Sequence, residues 1–196
     1  MRRVILLLGA ATALLTGSQA ASAQMPPLMI EVHGGYTIES TGNWNELATY
    51  KNGSGAGATV TAMVAPQIGV YLGWDRYRFR TDEEQPGVAP DAFITHAGYR
   101  AGLTVFIPIR AVPAVTPVLE AGSIYNTVAV SLGDGRRAET RRSGGREAGV
   151  GVMVRVTPRL NVAPTFRIRE HKVEFEDGSS QTMGYFALGV GLRVRL

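Results

Sequence analysis

From residue 28 to the end of the chain, apolar and polar side chains alternate with a period of two. A helix cannot separate them that way, because its faces repeat every 3.6 residues. The last segment is the clearest: Phe186, Leu188, Val190, Leu192, Val194 and Leu196 occupy one phase, and Tyr185, Ala187, Gly189, Gly191, Arg193 and Arg195 the other. The first repeats it, with Leu28, Ile30, Val32, Tyr36 and Ile38 against Glu31, His33, Gly35 and Thr37. Six more segments lie between, at about 56–64, 68–75, 95–107, 118–130, 147–156 and 160–169. In the fifth of the eight segments Ser123 interrupts the apolar phase, Pro164 falls inside the seventh, and Phe106 stands in the otherwise polar phase of the fourth.

The connections alternate in length. Those at about 39–55, 81–93 and 131–145 are long. Those at 65–67 and 157–159 are tight, 108–117 is intermediate, and 176–181 is a short polar turn. Long loops at one end and tight turns at the other predict an all-β fold, an eight-stranded antiparallel up-and-down transmembrane β-barrel. The phases also say which face looks inward. The polar phase mixes charged groups (Glu31, Arg100, Glu120, Glu147, Arg155, Arg167, Arg169, Arg193) with glycines (69, 73, 98, 102, 149, 151, 189, 191). Long charges packed among glycines suit a bore that side chains just fill, whereas a water-exposed face needs no glycine. The apolar phase is mostly Val, Leu, Ile and Ala, as a lipid-facing wall requires. On one strand Arg76, Arg78 and Arg80 continue the outward phase beyond Trp74, so that strand is expected to have left the hydrocarbon by there.

The amino terminus adds an address. Arg2 and Arg3 precede an apolar run from Val4 to Leu15, and Ala21-Ser22-Ala23 offers small residues for cleavage before Gln24. Residues 1–23 therefore read as a signal peptide cleaved after Ala23, with 24–196 as one barrel domain, exported to the bacterial outer membrane. The formal net charge is +4, and the two signal arginines supply half of it, so nucleic-acid binding gains no support. With no Cys, disulfides, thiolate nucleophiles and Cys-based zinc sites are excluded.

The closing segment, Gly191-Leu-Arg-Val-Arg-Leu196, resembles the terminal insertion signal of bacterial outer-membrane barrels, although Leu196 stands where that signal usually carries an aromatic residue. Residues 28–196 as a whole resemble the small eight-stranded OmpA/OmpX-type barrel families. The resemblance implies insertion by the barrel-assembly machinery through the C-terminal strand, and a monomer.

Candidate chemistry is sparse. Glu31, Glu120 and Glu147 with Arg100, Arg155, Arg167, Arg169 and Arg193 are expected to pair inside the bore, since an unpaired buried charge is costly. His33, His96 and His171 lie in inward phases, and neither Ser123 nor Ser131 has a spacing that ties it to one of them as a nucleophile. No catalytic, cofactor or metal residue is assigned. The third long loop carries Arg136, Arg137, Arg141, Arg142 and Arg146, guanidiniums suited to lipopolysaccharide phosphates. The expected function is structural or surface-interacting, without catalysis. A lipid-modifying enzyme, a narrow small-solute channel and a soluble periplasmic binding barrel are the alternatives.

Overall fold

A computed structural model of the chain describes residues 27–39, 50–81, 93–131, 137–174 and 180–196. The expected signal segment and Arg136 lie outside the described residues. Nine strands follow in order: β1 (Leu28–Glu39), β2 (Tyr50–Ala65), β3 (Ile68–Thr81), β4 (Phe93–Phe106), β5 (Val115–Ser131), β6 (Arg137–Glu139), β7 (Ser143–Arg155), β8 (Leu160–Glu174) and β9 (Ser180–Arg195). Among the described residues there is no helix.

Eight of these strands close into a ring. Neighbours run β4–β3–β2–β1–β9–β8–β7–β5, and β5 pairs back onto β4. All pairings are antiparallel, and the first strand meets the last from Met29↔Arg195 to Glu39↔Tyr185. Closure removes the exposed sheet edges that would invite aggregation. The three-residue β6 is not a ninth stave. It pairs with the far end of β5 (Val130↔Ala138) and extends the β5–β7 hairpin beyond the ring.

The alternation seen in the sequence becomes inside and outside. Val32, Leu72, Leu103, Val150, Leu188, Val190 and Leu192 present 45–62% of their surface outward. Glu31, Glu147 and Arg167, in the opposite phase, are 1–5% exposed. That is the inverse of a soluble domain, whose apolar face looks inward.

Tight turns stand at one end. Ala65-Pro66-Gln67 links β2 to β3, and the Thr157 hydroxyl oxygen accepts from the backbone N–H of Leu160 at 3.0 Å in the β7–β8 turn. Both ends of the barrel chain meet there, the N–H of Leu196 donating to the carbonyl of Leu28 at 2.9 Å. Pro164 is accommodated rather than avoided. It faces outward on β8, and the β7–β8 ladder skips two pairs between Gly151↔Thr165 and Val154↔Val162, where proline has no N–H to give.

The strands outrun the sequence expectation at the long-loop end. β2 begins at Tyr50 rather than near 56, β7 at Ser143 rather than 147, and β8 runs to Glu174 rather than 169. The third loop is correspondingly shorter, because β6 takes up part of it.

Candidate functional site

The bore is filled by ionic and polar side chains from seven strands, whose inward phase carries them into the middle of the barrel. Glu31 and His33 come from β1, Tyr71 and Asp75 from β3, Arg100 from β4, Glu120 from β5, Glu147 from β7, Arg167 and Arg169 from β8, and Arg193 from β9. Four carboxylates therefore meet four guanidiniums, all at most 8% exposed.

The contacts form one continuous web. Near the tight-turn end Arg193 grips Glu31 through Nε at 2.7 Å and again through Nη2. Arg167 donates from Nε to Glu120 at 2.9 Å and lies 3.5 Å from Glu31. Arg100 donates to Glu147 at 3.1 Å, stands 3.5 Å from both Glu120 and Asp75, and places its other terminal nitrogen 2.6 Å from the Thr59 hydroxyl. Arg169 joins Glu147 at 3.0 Å to Asp75. His33 spans two carboxylates, with Nε2 2.7 Å from Asp75 and Nδ1 3.3 Å from Glu31. The Tyr71 hydroxyl donates to Glu147 at 2.7 Å, and Arg100 lies over the Tyr71 ring. Each ion has at least one opposite partner, which a buried charge requires.

Glycine makes the room. A methyl group added at Gly191 would lie 2.9 Å from the Glu31 carboxylate, and one at Gly57 would collide with Asp75. At Gly102 and Gly122 it would strike the Tyr71 hydroxyl from two strands. The glycines of the polar phase thus hold the space that the long side chains occupy.

Apolar layers close the web above and below. At the tight-turn end Met29, Phe106 and Val118 are buried, with Met63 and Met153 packed on them. Phe106 is therefore an inward plug, with Arg193 over its ring, and its place in the polar phase is its proper one. At the long-loop end Tyr77, Phe79, Ile94, Val128, Val173, Met183, Tyr185 and Ala187 form a second buried cluster. The His96 and His171 rings meet edge to face at 5.1 Å there, against Tyr185.

Four of the five expected guanidiniums join the web, but Arg155 does not. It is exposed at the tight-turn end and lines an open cavity of about 640 Å³ with Met29, Met63, Met153 and Arg195. It is the last residue of β7, paired with Asn161 at the mouth of the bore, so its side chain meets solvent. Asp75, Tyr71 and His33 are members that the sequence-based pairing omitted, though all three stand in the inward phase. Ser123 faces outward, away from every inward histidine, and the Ser131 side chain lies outside the described residues. Among the described residues no group of three or more His, Asp or Glu is disposed to hold a metal ion.

The outer wall has its own order. Trp74, Tyr99 and Tyr125 are directly opposed across β3, β4 and β5 and point outward. Beyond them the outward phase turns polar. Arg76, Arg78 and Arg80 follow on β3, and Arg146 on β7 pairs with Glu170 on β8 at 3.0 Å. Of the third-loop arginines, Arg141 and Arg142 are exposed, and Arg142 lies over the Tyr99 ring at 5.5 Å.

No protein-family model matches the chain, and no curated protein matches it. Solved structures do. Neisserial surface protein A is 17% identical with a TM-score of 0.62, covering 87% of this chain and 97% of that one. The outer membrane protein OprG from Pseudomonas aeruginosa gives 14% and 0.55, over 87% of this chain and 97% of that one. The N-terminal β-barrel domain of Pseudomonas aeruginosa OprF gives 10% and 0.54, over 88% and 100%. At such identities the likeness is one of fold: the chain has the architecture of small eight-stranded outer-membrane barrels.

Proposed function

We propose that this chain is a bacterial outer-membrane barrel with a sealed bore, serving a structural or surface-interaction role at the membrane's outer face, without catalysis. The observation that carries the reading is the lumen itself. Four carboxylates and four guanidiniums interlock across it, and an apolar cluster covers each side. A transport path would have to break several buried ion pairs at once, each costly to separate. Eight strands leave a bore that side chains fill, whereas wide aqueous channels need about twice as many.

Membrane residence is supported by the outward belt. Exposed Val, Leu and Ile on every stave would be a large aggregation liability in water, while hydrocarbon accepts them. The fold shared with outer-membrane barrels agrees. The tight turns then lie on the periplasmic side and the long loops outside. Export by a signal peptide cleaved after Ala23, insertion through the C-terminal strand and a monomeric state belong to the same reading. So does contact between lipopolysaccharide phosphates and the third-loop arginines, of which Arg141 and Arg142 stand exposed.

The test is planar-bilayer recording of the refolded protein beside gel mobility with and without boiling. The expected result is a heat-shifted band, since folded barrels resist detergent until heated, together with a membrane that conducts no more than a bare one. Discrete conductance steps would replace this reading with the narrow channel. Hydrolysis or acyl transfer on vesicle lipid would replace it with the membrane enzyme, and a protein that washes free without detergent would point to the soluble binding barrel.

A further inference from the structure

We propose that the outer wall of β1–β4, just above the aromatic row, is a binding site for the phosphate of a phosphorylated glycolipid in the surrounding outer leaflet. The proposal rests on the membrane reading above and deepens it by naming a partner and a place.

Three outward side chains carry it. Arg76, Arg78 and Arg80 are exposed at successive outward positions of β3, immediately after Trp74. On a strand tilted by about 40°, each two-residue step climbs about 5 Å along the membrane normal. Trp74 is opposed by Tyr99, and Tyr99 by Tyr125, and such an aromatic row marks the membrane–water interface. The guanidiniums therefore begin at headgroup depth and point away from the barrel axis. What they meet must come from the lipid layer beside the barrel.

The neighbours turn these charges into a pocket. Arg78 is opposed by Ser54 on β2, and Arg80 by Phe93 on β4. Together with Tyr36 and Asn52 they line a hollow of about 640 Å³ on the outside of the wall. The Arg78 guanidinium lies 4.1 Å from the Phe93 ring centroid, a cation–π contact that fixes it at the hollow's edge. A guanidinium edge beside hydroxyl and amide donors matches phosphate oxygens.

Charge balance separates this wall from its counterpart. On β7 and β8 the outward Arg146 is already neutralised by Glu170. Among the described residues no carboxylate pairs with Arg76, Arg78 or Arg80. Three like charges at successive outward positions of one strand suit an anionic headgroup in the lipid layer beside them.

The experiment uses the refolded full-length mature barrel in detergent, with lipid A carrying both phosphates as the probe and tryptophan fluorescence and native mass spectrometry as readouts. The expected result is saturable binding of one lipid, lost about tenfold or more when the lipid is dephosphorylated, since hydrogen bonds to charged groups are worth roughly 1.5–3 kcal/mol. The pair Arg78→Gln, Arg80→Gln should lose the same factor, whereas Arg155→Gln, at the tight-turn end, should not. Equal binding of both lipids overturns the proposal, as does undiminished binding by the Arg78, Arg80 pair. Competition by millimolar inorganic phosphate would also overturn it in favour of a free-anion site. The comparison of the two lipids needs no variant, so it stands even if the arginine pair fails to fold. A normal heat-shifted band alongside lost discrimination would sink the lipid site while leaving the sealed barrel intact.

Discussion

Removing Glu147 is the sharpest perturbation of the bore. Its carboxylate accepts from Tyr71 at 2.7 Å, from Arg169 at 3.0 Å and from Arg100 at 3.1 Å, and it is 5% exposed. In Glu147→Ala the four guanidiniums face three carboxylates, and Arg100 keeps its Thr59 hydrogen bond but, as ionic partners, only Asp75 and Glu120 at 3.5 Å. One buried positive charge is left without its share of compensation, and breaking a buried pair this way costs about 3–5 kcal/mol. That is a large part of the roughly 5–15 kcal/mol that holds an ordinary domain folded. Arg146→Ala, which breaks the exposed pair with Glu170, should cost under about 1 kcal/mol and serves as the control. Urea unfolding in lipid vesicles, followed by tryptophan fluorescence and by the heat-dependent gel shift, measures both. The charge argument also fixes the sign of a double variant. Glu147→Leu with Arg169→Met restores equal numbers of acids and bases in apolar packing, so it should lose less stability than Glu147→Ala alone. A Glu147→Ala loss below about 1 kcal/mol, or a double variant worse than the single, would refute the view that compensation of charge holds this bore together.

Three further outcomes follow from the same geometry. Leu103→Arg puts a charge on the outward belt and should cost about 2–4 kcal/mol in vesicles if that face meets hydrocarbon; a neutral result in the same urea titration would mean that it meets water. Gly122→Leu drives a side chain into the Tyr71 hydroxyl and the Ala101 carbonyl, so the variant should fail to give the heat-shifted band, while Ser123→Leu beside it on the outward face should fold normally. Arg141→Ser with Arg142→Ser should lower lipopolysaccharide co-purification if the third loop contributes to retention, and unchanged co-purification would confine the contact to the barrel wall.

How much of this was legible in the sequence depends on where along each strand one reads. Inside the belt the rule is simple: the outward residue meets oil and the inward one meets charge. Leu188, Val150 and Leu103 against Arg167, Glu147 and Arg100 follow it without exception, so strand number, order and facing could be read from period two alone. The web's partners could not be. Asp75 stands in the inward phase at the end of its segment, but the period of two does not say that Arg100, Arg169 and His33 are brought to it from three other strands. His33 lies two residues from Glu31, yet its other carboxylate is on β3 and is brought to it only by register: Asp75 opposes Gly57, and Gly57 opposes His33. Arg155 failed in the opposite way, since phase alone placed it in the web although it stands at the solvent-open mouth where β7 ends.

Beyond the aromatic row the rule reverses, and this accounts for the strand ends that pattern reading cut short. On β3, Arg76, Arg78 and Arg80 look outward while Tyr77 and Phe79 are buried inside; on β8, Lys172 is exposed and Val173 buried; on β9, Thr182 is exposed and Met183 buried. This is the alternation of a water-soluble barrel, apolar within and polar without, stacked on a membrane barrel of the opposite sense. One chain therefore carries two amphipathic codes in register, and only the backbone's period of two is common to them. The crossover also locates the dielectric boundary. Where outward Leu and Val give way to Arg, hydrocarbon ends, and where inward Arg and Glu give way to Phe, Val and Met, the bore no longer needs an ionic web, because water outside lets an apolar core supply the cohesion. The sealed bore and the basic wall are thus two results of the same change of solvent along the strands, which is why they meet at one height on β3.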